Sequence, residues 1–453
     1  MSALWTSGMA ALATSGTCVG VWEINGISID TRSLQPGDLF VPLKDIRDGH
    51  DFIPVAYEKG AGAVLSEYAI HDAPALIVKD TLGALCDLAV AARLRSQAKR
   101  IAVTGSVGKT SVKEMLAHVF RRCGLTHASQ KSFNNHWGVP LTLATMPEET
   151  QFGVFEMGMN HKGELLDLTA IVRPNIAIIT KVAPAHLAHF EDLSAIASAK
   201  AEILEGLSAD GVAVLPRDSE FYTYFKKRAK KILSFGWHED ADARIVDIQH
   251  NARGSLSTLV VCGQKITLEL PMVGEHWVEN AACVLLSAKA AGIGVVKCAN
   301  ALKKMGAIKG RGEIHTLNVD GKSITLIDES YNANPESMGS AIAALGLFQG
   351  RTIAVLGDML ELGADEKKLH EDLYTDLQKA DIHQVLCCGS RMKALDKKLS
   401  KTMAAGWFEG VETCLIELKK ILRDQDTIMV KGSNASRMSV LVASLIAQED
   451  KDK

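Results

Sequence analysis

A lysine, a threonine and two glycines carry the most specific chemistry in this chain, in the order Thr104-Gly-Ser-Val-Gly-Lys-Thr-Ser111. Gly105 and Gly108 let the backbone curl. Successive N–H groups and the N-terminus of a following helix then converge on one point, where an anion is the natural occupant. Lys109 adds a full positive charge there, and the hydroxyl of Thr110 stands where a phosphate loop reaches Mg²⁺. The common form G-x-x-x-x-G-K-[ST] needs glycine where Val103 stands, so the match is to a shorter form, T-G-x-x-G-K-T. The alternative is an ordinary glycine turn with an exposed lysine. What comes before and after the loop disfavours it.

Other side chains could complete a phosphate and metal site. Phe152-Gly-Val-Phe-Glu156 reads as a buried strand ending on a carboxylate, and Asn175-Ile-Ala-Ile-Ile-Thr180 as another, followed shortly by His186. Ligands of open α/β sheets collect beyond the carboxyl ends of strands, which places Glu156 and His186 beside Thr110. Mg²⁺ keeps water and phosphate oxygens and takes few protein ligands, so one or two carboxylates suffice. Taken singly, His186 reads as an ordinary surface or core histidine. Arg311, between Gly310 and Gly312, has a free approach to a phosphate, or marks a hinge. Lys200 stands in an apolar stripe, four residues after Ile196 and four before Leu204. It either snorkels from the edge of that face or is buried, and burial disfavours the ammonium form.

The elements that must position these groups follow from periodicity. Ile101 to Val103 is a β-branched run, and Val112, Met115, Leu116, Val119 and Phe120 form one helical face that Gly124 closes. Residues 24–79 are short, β-rich and glycine-punctuated, as in a small α/β domain. Within them Asp30-Thr-Arg32-Ser and Asp48-Gly49-His50 gather polar groups beside turns, which suits a nucleotide or sugar as well as a solvated loop. An alanine-rich helix over 81–98 leads into the phosphate loop. Strand and helix then alternate, as a mostly parallel sheet requires, and a long helix runs from Gly274 to Ala291. From Glu313 a second doubly wound sheet begins, with strands at 324–328, 352–356, 384–388 and 427–431. Three of its strand ends carry polar clusters: Asp328 to Pro335, Gly357 to Gly363, and Lys431 to Asn434. They suggest a substrate rim, though the same residues form turns. The expected architecture is α/β in three domains. Residues 1–80 form a small N-terminal α/β domain, 81–312 a central phosphate-loop domain with a mostly parallel sheet, and 313–453 a C-terminal doubly wound, Rossmann-like domain.

The 453 residues, 47% hydrophobic and 23% charged, describe a globular chain with ample core. A net charge of −3 leaves no basic field for nucleic acid, so a polyanionic ligand must be met by local clusters. Nine cysteines without C-x-x-C spacing indicate neither a disulfide framework nor a zinc site. No signal-peptide pattern and no uncharged run near the ~20 residues of a membrane span is expected, and a reducing cytoplasm is the simplest home.

The motifs together resemble those of the Mur ligases, the ATP-dependent amide-forming enzymes of bacterial cell-wall synthesis. Thr104 to Ser111, Ser132 to Leu143, Phe155 to Glu164, Ala199 to Ile203, Tyr331 to Met338, Gly357 to Gly363 and Lys431 to Ser433 all carry the likeness. It spans all three expected domains. The last four motifs, with Asn134 and Asn135, resemble the member that adds a terminal dipeptide. The resemblance implies a monomeric, cytoplasmic enzyme using ATP and Mg²⁺, with UDP-N-acetylmuramoyl-tripeptide and D-alanyl-D-alanine as substrates and an acyl phosphate as intermediate. It further implies that Asp30, Arg32, Asp48, Gly49 and His50 contact UDP, and that Gly105, Ser106, Val107, Gly108, Lys109, Thr110 and Ser111 cradle the ATP phosphates. Asn280 lies near adenine, Arg311 reaches the phosphates across the domain joint, and Asp328 serves the nucleotide's C-terminal side. Asn134, Asn135, Tyr331, Asn332, Asn334 and Asp358 belong to the substrate side. The metal set is Thr110, Glu156, His186 and Lys200. Lys200, in the A-K-x-E motif, is expected as a carbamate, and Lys109, Lys200, His186 and Arg311 are the catalytic set. Competing expectations are a Mur ligase that adds a single amino acid, a folylpolyglutamate synthase, or, in another class, an ATP-hydrolysing switch.

Overall fold

The β-branched run before the phosphate loop becomes the strand Lys99–Thr104, third from one edge of a nine-stranded sheet. The computed structural model describes residues 3–130, 132–184, 190–251 and 254–449. Thr126–Ala128 and Phe152–Glu156 lie on one side of Lys99–Thr104. Ile176–Ile179, Val212–Pro216, Lys231–Gly236 and Ala243–Asn251 lie on the other, all parallel. Beyond them Gly254–Val261 and Gln264–Leu270 complete an antiparallel meander. Strand–helix alternation does not anticipate that edge, because successive strands there are two residues apart in sequence, too few for a crossover helix.

Each inner strand is apolar on both faces, as a covered parallel sheet demands. Ile101, Val103, Val154, Ile176 and Ile178 pack against the helices Lys109–Arg121, Glu275–Ala290 and Val295–Leu302. The alternate residues Ala102, Phe155, Ala177 and Ile179 join the opposite core, under Thr81–Arg95, Gly138–Ala144, Glu164–Val172 and Leu193–Ala201. Val112, Met115, Leu116, Val119 and Phe120 are all fully buried, so the expected helix face is the observed one. The helix ends at Arg121, before Gly124.

A five-stranded sheet, Thr17–Val19, Ala75–Ile77, Ala63–Ser66, Asp38–Phe40 and Gly26–Ser28 in spatial order, precedes the central one. Its core is continuous with the central core: Leu39, Leu65 and Leu76 share one cluster with Leu85, Leu88 and Phe155. Trp5 Nε1 donates to the Ala144 carbonyl at 2.9 Å, and the Arg95 guanidinium lies 4.1 Å over the Trp5 ring. The third sheet has six strands in the order Glu313–Val319, Lys322–Glu329, Thr427–Lys431, Thr352–Gly357, Gln384–Cys388 and Ala404–Phe408. Only the first pair is antiparallel. Separate apolar cores cover its two faces, which makes it doubly wound. All nine cysteines are free thiols. No helix among the described residues is long and apolar enough to cross a membrane.

Candidate active site

Residues beyond the carboxyl ends of strands in both large sheets line a cavity of about 420 Å³. The central sheet contributes Ser106 to Ser111, Glu156 and Thr180, and the C-terminal sheet contributes Glu329, Tyr331, Asn332 and Lys431. Such strand ends are where open α/β sheets bind ligands.

The phosphate loop is clamped from behind by the neighbouring strand's exit. Thr180 Oγ1 donates to the Val107 carbonyl at 2.5 Å, and Ser106 Oγ donates to the Ala183 carbonyl at 2.8 Å. These contacts explain the glycines. A Cβ on Gly105, at φ +152°, would lie 1.9 Å from Thr180 Oγ1, and one on Gly108, at φ +85°, 2.7 Å from Asn280 Oδ1. Gly108 caps the helix Lys109–Arg121, whose free N–H groups open toward the cavity. Lys109 Nζ donates to the Gly105 carbonyl at 2.6 Å. Desolvation lowers the Lys109 pKa, partly offset by the Glu156 charge, while Arg311 lowers it further.

Glu156 pairs in register with Val103, which brings its carboxylate level with the loop. Oε1 accepts from Asn134 Nδ2 at 2.9 Å and Thr110 Oγ1 at 3.1 Å. Oε2 is buried with no hydrogen-bond partner among the described residues. An orphaned carboxylate oxygen costs about 1–3 kcal/mol and suits a divalent cation. The residues present therefore fit Mg²⁺, with Glu156 and Thr110 as the groups that would hold it. Lys200, 2% exposed on the helix Leu193–Ala201, lies behind this wall rather than on it. Desolvation, then repulsion from Lys109, pushes its pKa well below the ordinary 10.5, and its amine has no hydrogen bond to a described residue.

From the other side, the Arg311 guanidinium stacks 4.4 Å over the Tyr331 ring. Tyr331 Oη and Ser132 Oγ meet at 2.5 Å, and Lys181 Nζ pairs with Glu336 at 2.5 Å, so two polar bonds cross between the sheets. Lys431, 3% exposed, donates to the Asn332 carbonyl at 2.9 Å. Its pKa is lowered by desolvation, with Glu329 opposing. Lysines whose charge burial disfavours gain from an anion between them, and a polyphosphate supplies one.

Comparison with known proteins agrees with this geometry. Residues 103–288 match the Mur ligase middle domain, 310–434 the Mur ligase glutamate ligase domain, and 23–117 the Mur ligase family catalytic domain. The UDP-N-acetylmuramoyl-tripeptide--D-alanyl-D-alanine ligase of Rickettsia prowazekii is 31% identical over 448 residues, 97% of this chain and 99% of that protein. The chain belongs to the Mur ligase family. The crystal structure of MurF from Acinetobacter baumannii superposes with a TM-score of 0.88 at 30% identity, covering 98% of this chain and 99% of that one. MurF ligase from Thermotoga maritima, solved in complex with ADP, gives 0.83 at 25% identity over 95% and 99%.

Within this Mur ligase fold the expected site residues divide. Gly108, Lys109, Thr110, Ser111, Ser106, Val107, Asn134, Asn135, Glu156, Asn280, Arg311, Tyr331, Asn332 and Asn334 line the cavity. Two of these side chains serve the fold as well: Asn334 Oδ1 caps the helix Pro335–Leu345, and Asn135 Oδ1 accepts from Gly138 N at the start of Gly138–Ala144. Asp328 does not reach the cavity. Its carboxylate turns away and accepts from Ser330 N and Oγ, and the next residue, Glu329, lines the cavity instead. Asp358 is also withheld, because its Oδ1 accepts from the backbone N–H groups of Arg391 and Met392. Asp30, Arg32, Asp48, Gly49 and His50 sit apart from the cavity, at the five-stranded sheet. Asp30 pairs with Arg32 at 2.6 Å. His50 Nδ1 meets Asp48 at 2.6 Å while Nε2 accepts from Glu67 N, and the Gly49 backbone packs on Leu43. His186 lies outside the described residues. Sequence reasoning missed Ser132, Lys181, Glu279, Glu329 and Glu336 as cavity residues, and left Lys431 in a motif without a role. Lys431 carried a signal in the Lys-Gly-Ser run at a strand end, Ser132 opened the motif Ser132 to Leu143, and Glu329 and Glu336 lay within the Asp328 to Pro335 cluster and the Tyr331 to Met338 motif; Lys181 and Glu279 carried none.

Proposed function

We propose that this Mur ligase joins D-alanyl-D-alanine to UDP-N-acetylmuramoyl-tripeptide at the expense of ATP. The observation that carries the reading is the single cavity in which the phosphate loop and Glu156 meet Arg311 and the Tyr331–Asn334 rim of the second sheet. A carboxylate is a poor electrophile, so its activation must precede attack by an amine. The tripeptide carboxylate attacks the γ-phosphorus and ADP leaves; the dipeptide amine then attacks the acyl carbon, the amide bond forms as phosphate is expelled, and the amine gives up a proton. Lys109, the loop N–H groups and Arg311 stabilise charge on the phosphoryl oxygens in transit. When bound, Mg²⁺ supplies further neutralisation of those oxygens. Glu156 orients Thr110 and Asn134 through its Oε1. The bonds from Ser132 to Tyr331 and from Lys181 to Glu336 hold the two sheets together and keep water from the acyl phosphate.

The division of labour follows the three expected domains. Residues 1–80 receive UDP through the Asp30–Arg32 and Asp48–His50 clusters, 81–312 receive ATP, and 313–453 bring the dipeptide. Lys200 is a carbamate in the active enzyme. Its burial favours the neutral amine, which adds to CO₂ and releases a proton, so that a buried neutral amine becomes an anion beside Lys109. The enzyme works as a monomer in the cytoplasm.

The deciding measurement is phosphate release from ATP with Mg²⁺, with each substrate omitted in turn. Release is expected only with both the muramyl tripeptide and the dipeptide present. Equal release with a single amino acid or with glutamate would favour another Mur ligase or a folylpolyglutamate synthase, and equal release without an acceptor would favour a switch. For Lys200, a carbamate carbon resonance after equilibration with ¹³C-labelled bicarbonate is expected in the native chain and absent in Lys200→Ala. Its absence from the native chain refutes the carbamate.

A further inference from the structure

One cavity-lining carboxylate has no part in the phosphate chemistry. Glu279 stands one residue before Asn280 on the helix Glu275–Ala290, and the Asn280 side chain abuts the phosphate loop at Gly108. Glu279 therefore stands on the cavity wall next to the residue that abuts the loop, in a cavity that Phe235, His276, Ser340 and Ala341 also line. Its carboxylate accepts no hydrogen bond from a described residue. The nearest cation, Lys181, spends its hydrogen bond on Glu336 across the cavity. Desolvation pushes the Glu279 pKa up to about 6, with Lys181 opposing and Glu275, Asp218 and Glu336 adding to the rise. Asp218 is itself satisfied by the N–H groups of Trp237 and His238. His276 is pushed down to about 4 by desolvation and the Lys431 and Lys181 charges, so it is neutral and offers no counter-charge.

An ionised carboxylate is acceptor-only, and a half-buried one without a donor lacks the hydrogen bonds it would have in water. A nucleotide whose phosphates sit on the loop places its base within the same cavity as this carboxylate. A purine bearing an exocyclic amine supplies the missing N–H. A purine with a carbonyl at the same carbon sets oxygen against oxygen. We infer that Glu279 is the specificity-determining residue for the base of the nucleoside triphosphate: its carboxylate accepts the 6-amino group of adenine and turns away 6-oxo purines. This rests on the reading that the cavity takes ATP, and it adds a base-selecting residue to the Asn280 contact.

The test compares ATP with inosine triphosphate, which differs by amine against carbonyl at that carbon. Calorimetric binding to the full chain without the muramyl substrate reads base selection whether or not ligation follows. The native chain is expected to bind ATP on the order of 10–100-fold more tightly than inosine triphosphate. In Glu279→Gln, whose amide can accept from the amine or donate to the carbonyl, the ratio is expected to fall to within roughly 3-fold. Glu279→Ala should weaken ATP binding and narrow the ratio too. In ligation assays the KM for ATP rises in both variants while kcat at saturation stays within about 2-fold, a split expected of uniform binding and not of a damaged fold. An unchanged ratio in folded Glu279→Gln, or a native chain that binds both nucleotides equally, overturns the assignment. Loss of dipeptide-dependent ligation in the native chain would instead overturn the proposed function, with the binding ratio still legible.

Discussion

Lys200→Met separates a buried lysine from a snorkelling one by the pH dependence of stability. Lys200 is 2% exposed, and desolvation and Lys109 hold its folded pKa well below the unfolded 10.5. Between those two values the unfolded chain binds a proton that the folded chain does not. Stability therefore rises with pH across that window, by about 1.4 kcal/mol per pH unit from this group alone. Methionine has a similar length and no proton to release, so the variant lacks this slope. At 2–4 °C per kcal/mol for a unit of this size, the native melting temperature should gain roughly 3–6 °C on the variant per pH unit in CO₂-free buffer. At neutral pH and below, the variant should be the more stable protein, because it no longer buries an ionisable amine. The assay is a pair of calorimetric melts across pH 6.5–8.5, with other titrations cancelling in the difference. Parallel melting curves would mean that Lys200 is solvated and charged throughout, and would remove the basis for a carbamate. Activity should fall about 10²-fold or more in the same variant, as for loss of an electrostatic group that acts from behind the cavity wall. Lys200→Ala, which leaves space, should partly recover with short carboxylic acids.

Lys109→Ala should lower kcat by on the order of 10²-fold or more in a folded protein, measured by the phosphate-release assay, because it removes a charge held against the transferring phosphoryl group. Gly105→Ala places a methyl 1.9 Å from Thr180 Oγ1 at a φ that L-residues avoid. It should cost about 1–3 kcal/mol in thermal unfolding and raise the KM for ATP. Asp358→Ala strands the N–H groups of Arg391 and Met392, so it should destabilise by about 1–3 kcal/mol. A lowered melting temperature with kcat near native would support that anchoring role, whereas a kcat loss without destabilisation would return Asp358 to the acceptor pocket.

What could be read along the chain is what depends on neighbours in sequence. The phosphate loop, the helix after it and the strand ending at Glu156 are local patterns, and parallel pairing brings Glu156 level with Val103 by register alone. Lys200 was legible too, because its spacing from Ile196 and Leu204 already puts it on a core face. The acceptor rim was legible only in part. Successive strand residues face opposite sides, so the choice between Asp328 and Glu329 turns on which face of Lys322–Glu329 meets the cavity. Composition is silent on that, and the structure selects Glu329. Asp358 shows a second limit: an acidic residue after a strand looks like a ligand until the N–H groups of a loop over 30 residues away claim it. Lys181 and Glu279 carry no motif at all, and Ser132 only opens one. They become site residues because the second sheet folds over the first and meets Lys181 with Glu336 and Ser132 with Tyr331, contacts between residues 155 and 199 positions apart. Local chemistry is written in local sequence, but partners that far apart are chosen by how two independently formed cores dock.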